Sequence, residues 1–241
     1  MCAGIPIPQQ IIALRSEQRV SSLEEQGCDA AVRQTIQSFA AKYDIGEDEV
    51  EKAYYLATGY NDVIILLERP ARDHDYTVSN DDFVKASPAL RCLDETIRFS
   101  TSGIRNIGNT RILDAFAFKP KGQKCPISDY LCHGLARSLL ELIKPDHVLG
   151  CCGDIQPHHW LARFCAVHLK DAPCLREVDI RGKLVTCIRS FHPGYFVNHV
   201  LFEPKSRLAF ILGVMIGFTH DQAIRDMILK LAPTCRPVFK A

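Results

Sequence analysis

At 241 residues the chain can form one sizeable α/β domain, alone or with a small helical appendage. Hydrophobic residues make up 47% and charged residues 24%, ordinary values for a globular protein. Lys and Arg number 29 against 28 Asp and Glu, which argues against holding nucleic acid by bulk charge alone and leaves open a local basic face.

The 11 cysteines lie mostly in apolar runs such as Val148-Leu149-Gly150-Cys151-Cys152, and their count is odd. In a chain too large to need disulfide staples, this predicts reduced, mostly buried thiols. No CxxC pair occurs, so the sequence gives no support for an iron–sulfur cluster or a structural zinc, and no cofactor is called for. The start, Met1 to Pro8, has no basic region followed by a long apolar run. The longest apolar stretch, Leu208 to Phe218, is about half of a membrane span. The expectation is a soluble intracellular protein of nucleus or cytoplasm, without a membrane partner.

Residues 1–26 read as a polar lead-in with a short amphipathic helix near Gln9 to Arg19. From Asp29, the three- and four-residue steps of Ala31, Val32, Ile36, Phe39 and Ala40 predict a helix ending at Ile45-Gly46. A second helix is expected from Glu47 to Ala57, with acidic residues at its positive end. Val63 to Leu67 is a short apolar run that suits a buried parallel strand or a core helix equally. Ala71 to Asp82 reads as a loop, and Pro88 to about Thr101 as a helix.

Further on, Arg111 to Phe118 is a strand candidate and Ser128 to Lys144 an amphipathic helix. His147 to Cys152 and Leu184 to Ile188 are further strands, with a helix from His158 to Val167 between them. Helices from Lys205 to Gly217 and Asp221 to Leu231 complete the pattern. Strands alternating with helices predict βαβ units. The expected fold is therefore a three-layer α/β/α domain with a mainly parallel four-stranded sheet over 62–231. It would carry a helical N-terminal extension (1–61) and a tail (232–241).

Ligands of open α/β sheets bind beyond the carboxyl ends of the strands. Those ends supply Glu68, Asp114 with Phe116, the Gly153-Asp154 turn and His192, the last within Arg189-Ser190-Phe191-His192-Pro193-Gly194. A carboxylate inside an apolar strand, as at Asp114, is costly without partners, which favours a role for it. Duller readings stand beside these: Glu68 as a surface pair with Arg69, Phe116 and Phe118 as core, and His158-His159-Trp160 as a surface patch at a helix start.

The segments Asp82 to Asp94, Leu113 to Phe118 and Ile188 to Pro193 together resemble the uracil-DNA glycosylase superfamily. More closely, they are similar to a group of fungal proteins with a degenerate version of that domain. The resemblance covers about 62–220, and only the His-Pro element is a superfamily hallmark. It implies that Glu68 positions the hydrolytic water, that Asp114 stands where an asparagine reads the base edge, and that His192 contacts the base carbonyl. It also implies a flipped base stacked on Phe116 or Tyr195, and phosphate contacts from Arg189, Lys205 and Arg207. DNA, or a nucleotide or base, would be the partner.

Three positions depart from the family pattern: Leu67 replaces a glycine, Asp114 the asparagine and Gly194 a serine. An ionised Asp114 only accepts hydrogen bonds, so it would face a uracil O4 with repulsion. These departures give a second reading, a catalytically inactive interaction protein on the same scaffold. In a third, residues 29–68 form a small helical protein-binding module similar to ubiquitin-binding bundles, and the sheet loses its first strand.

Overall fold

The computed structural model describes residues 9, 12–13, 28–70, 75–119, 127–152, 159–164, 173–194 and 204–231. Helices α1 (Asp29–Lys42) and α2 (Glu47–Tyr55) precede β1 (Tyr60–Leu67). Next come α3 (Asn80–Ala86), α4 (Pro88–Ser100), a 3-10 turn (Ile107–Asn109) and β2 (Thr110–Asp114). The chain continues through α5 (Asp129–Ile143), β3 (His147–Gly150), a second 3-10 turn (Trp160–Arg163), β4 (Cys174–Ile180) and β5 (Lys183–Arg189). It closes with α6 (Pro204–Gly217) and α7 (Gln222–Leu231).

The ambiguous run at 63–67 is strand. Its alternate side chains are buried in opposite cores: Val63, Ile65 and Leu67 in one, Ile64 and Leu66 in the other. Only a strand sends successive residues to opposite faces, and a run buried on both faces is what a central parallel strand requires. The helical-module reading of 29–68 therefore fails at its last element.

The sheet order is β2-β1-β3-β5-β4. The first four strands are parallel, and Ile112, Ile65, Leu149 and Ile188 pair in one row across them. That row belongs to the core shared with α3, α4, α6 and α7. On the other face Ile64, Leu113, Val148 and Cys187 share a core with α1, α2 and α5. The three-layer arrangement is thus present, and α1 and α2, expected within an N-terminal extension, contribute Val32, Ile36, Ala40 and Val50 to that second core. α6 is buried over most of its length, from Ala209 to Gly217, so the long apolar stretch is a core helix. No helix among the described residues is long and apolar enough to cross a membrane.

Several expectations need correction. The sheet has five strands, because β4 pairs antiparallel with β5 through a hairpin. The two-residue connection, Arg181 and Gly182, has φ of 48° and 83°. Two consecutive positive φ values suit the tight turns whose twist matches the strands, and glycine takes one of them without strain. The strand expected to run to Phe118 stops at Asp114, and residues 115–118 are turn. The helix expected over 158–167 is, where described, a 3-10 turn over Trp160–Arg163. α3 begins inside the stretch read as a loop, capped by Ser79, whose hydroxyl accepts from the Asp82 N–H. Among the described residues six cysteines are free thiols, four of them buried, but Cys152 is disulfide-bonded, against the expectation of reduced thiols.

Candidate functional site

Four parallel strands deliver their following loops to one end of the sheet, and short backbone bonds fix those loops. The Ala115 N–H donates to the Leu67 carbonyl and the Phe116 N–H to the Glu68 carbonyl, both at 2.9 Å, so the chain after β2 is held against the chain after β1. In the same way the Ser190 N–H donates to the Gly150 carbonyl at 2.8 Å, placing the His192 loop beside the end of β3. α6 comes close behind this loop because position 213 is glycine; a Cβ there would meet Ser190 Oγ at 2.8 Å.

A cavity of about 80 Å³ lies at this end. By water-sized accounting it holds roughly six waters. Asp114, Leu67, Arg69, Tyr76, Phe83 and His192 are on its wall, and α2 adds Lys52. Two of the three strand-end residues expected to converge, Asp114 and His192, thus share one cavity. Glu68, the third, is not on the wall.

Asp114 keeps some accessible surface, yet protein atoms crowd it closely enough that burial is the main cause of a pKa raised to about 7; the charge of Glu68 adds to the rise. Among the described residues its carboxyl group has no hydrogen-bond or ion-pair partner. The Tyr76 phenol is also pushed up, first by burial and then by Asp114 and Glu49. His192 is held by the backbone of its own loop, where the Gly194 N–H donates to Nδ1 at 3.0 Å. Accepting at Nδ1 puts the proton of the neutral ring on Nε2, so the imidazole is a donor there. The donor that sets the tautomer is a backbone N–H, which the serine expected from the resemblance at position 194 would supply equally.

The remaining predicted site residues have other surroundings. Glu68 Oε1 accepts from Arg69 Nε at 3.0 Å. The Arg69 guanidinium lies 4.1 Å from the centre of the Phe116 ring. Phe116 itself is 2% exposed, packed in the α5-side core 4.6 Å from the His133 ring, and does not line the cavity. Arg189 is buried and donates to the Ala162 and Arg163 carbonyls at 3.1 and 3.2 Å, tying down the 160–163 turn instead of facing solvent phosphate. Tyr195 and the Gly153-Asp154 turn lie outside the described residues, as does the Lys205 side chain. His159 stands edge-on to the largely buried His133 ring at 4.4 Å, so the patch is partly interior.

The sequence reading missed the aromatic wall. Tyr76 and Phe83 pack at 5.1 Å, and Tyr55 closes on Phe83 at 4.6 Å. The available signal was the Ser79-to-Asp82 cap, which starts a helix and turns Phe83 inward. Among the described residues no group of three or more His, Cys, Asp or Glu could hold a metal ion. No protein-family model matches the chain, and no curated protein matches it.

Proposed function

We propose that the cavity binds a nucleobase in a uracil-DNA glycosylase-like domain, and that the reaction is hydrolysis of the N-glycosidic bond of a flipped nucleotide. The observation that carries this reading is that His192, a donor at Nε2, and the Asp114 carboxyl group stand on the wall of one cavity at the carboxyl ends of parallel strands. The base would stack against the aromatic wall of Tyr76 and Phe83 in place of Phe116. Cleavage leaves the bond's electron pair on the departing base, spread onto its carbonyl oxygen, while water adds to the sugar carbon; a fixed Nε2–H stabilises that negative charge without reorganisation. DNA itself would be held by local contacts, because the chain is close to neutral.

A second reading, an inactive scaffold that still binds a base, is favoured by Glu68. Its carboxylate is engaged with Arg69 and off the cavity wall, so it is not placed to activate a water. One experiment separates the two. DNA carrying uracil or another altered base, single- and double-stranded, is incubated with the protein and free base is measured. Release that falls about a hundredfold in His192→Ala supports hydrolysis. No release from any substrate, with base binding retained, leaves the inactive reading.

A further inference from the structure

The described cations on the cavity wall with Asp114 already have partners. Lys52, on the cavity wall from α2, bonds Glu49 at 2.5 Å, and Arg69 bonds Glu68 at 3.0 Å. The other groups facing Asp114 are the Tyr76 phenol and Glu68, whose negative charge opposes a second one beside it. His192 completes the wall as a neutral donor. Among the described residues an ionised Asp114 would therefore have no counter-ion and no hydrogen bond, whereas a neutral carboxylic acid needs no counter-ion and loses far less by keeping its donor and acceptor for a ligand. Resting on the base-binding reading above, we infer that Asp114 binds its ligand as a neutral acid. Its O–H donates to, and its carbonyl accepts from, a lactam edge in which an oxygen and an N–H stand side by side.

This alters the meaning of an aspartate at this position. A neutral carboxyl offers one donor and one acceptor, the pair an asparagine amide offers, so the repulsion expected from an ionised group at a carbonyl oxygen does not arise. The same chemistry makes recognition depend on pH. The acid form, with a midpoint of about 7, is the binding-competent one, and its fraction falls as pH rises.

The test uses free uracil as probe, titrated into the whole protein by calorimetry between pH 6 and 8.5. The dissociation constant is expected to rise about thirtyfold over that range for the natural protein, following the competent fraction. Asp114→Asn keeps the donor–acceptor pair and cannot titrate, so it should bind uracil with a flat profile. Flat profiles in both proteins, or parallel declines in both, overturn the neutral-acid inference while leaving the base-binding reading intact. No uracil binding at any pH by either protein overturns both. Should Asp114→Asn fail to fold, carboxyl carbon NMR on the natural protein decides. A midpoint near 7 that moves upward on saturation with uracil supports the inference, and a midpoint near 4 overturns it.

Discussion

The two ends of the sheet differ in one respect: the carboxyl end partners its buried Arg189 with backbone carbonyls, as the amino end partners its own charges, but leaves the Asp114 carboxyl group facing a cavity. At the amino end, Arg105 is 1% exposed and bonds Asp62 at 2.7 Å while stacking over Tyr60. His147, at the start of β3, donates from Nδ1 to the Gly217 carbonyl and accepts at Nε2 from Arg225. Arg111, fully buried, donates to the Ala57 and Gly59 carbonyls, to Asn61 and to Asp29. Every one of these groups meets a carbonyl or an opposite charge supplied by another element, so their work is to join elements. At the carboxyl end, Asp114 has no hydrogen-bond or ion-pair partner among the described residues: the charge that acts on it, Glu68, is of its own sign, and it shares a cavity wall with the Tyr76 phenol. A buried charge with partners is architecture; a carboxyl group without them, facing a cavity, is a place for something else to bind.

The comparison is broken most directly at Arg111. Arg111→Met keeps much of the volume and removes the donors, leaving the Ala57 and Gly59 carbonyls without them. The cost expected is about 3 kcal/mol of folding stability, measured by denaturant unfolding at pH 7. Asp29 limits the loss, since its half-exposed carboxylate regains water. A cost below about 1 kcal/mol would mean that the amino-end network is no better compensated than the carboxyl end, and the contrast would collapse.

Asp114→Asn sharpens it from the other side. The unfolded chain loses the Asp114 proton near pH 4, whereas the folded protein keeps it to about 7. Between those values unfolding releases a proton, so stability falls as pH rises, and above 7 the cost is constant. His147 has the opposite slope: its pKa is lowered to about 4, first by burial and then by Arg225, so stability is lost as pH falls from 6.5 towards 4. The asparagine variant should abolish the first limb and keep the second. It should be more stable than the natural protein at pH 8 by about 2 kcal/mol, half of what the full shift would give because Asp114 keeps some contact with water, and show no advantage at pH 4. A variant less stable at pH 8 would show that the carboxylate has a partner after all.

How far the sequence carried this picture depended on how strongly each position was constrained locally. Asp114 stood out because a carboxylate within an apolar strand violates the burial pattern, and His192 because its loop follows a strand buried on both faces. Both are on the cavity wall. The reading of Phe116 as core holds, and the stacking role implied by the resemblance does not fit it, because the chain turns after Asp114 and sends the ring into the α5-side core. β4 escaped notice because three of its first six residues are charged and it lies at the sheet edge, half-exposed. Only Val178 and Ile180, alternating before Arg181-Gly182, betray it. Tyr76 and Phe83 belong to a stretch with one seven-residue helix, too short to display a period, so their role depends on tertiary packing that no local pattern encodes.

Glu68 tests where the boundary between architecture and function falls within the carboxyl end itself. Its ion pair with Arg69 is about a quarter exposed on each side, so Glu68→Gln should change stability at pH 7 by less than about 0.5 kcal/mol. Its effect on Asp114 is separate from that pair. Glu68 is the one charge that raises the Asp114 pKa, so its removal should move the Asp114 midpoint down, although burial, the larger cause, remains. On the neutral-acid proposal the downward shift should weaken uracil binding as well, since a smaller fraction of Asp114 is neutral at a given pH. In a carboxyl NMR titration, a lowered Asp114 midpoint with unchanged stability makes Glu68 a tuning group for the neighbouring acid. An unmoved midpoint would mean that the Arg69 guanidinium already cancels its charge as seen from Asp114, leaving burial as the whole reason the acid holds its proton.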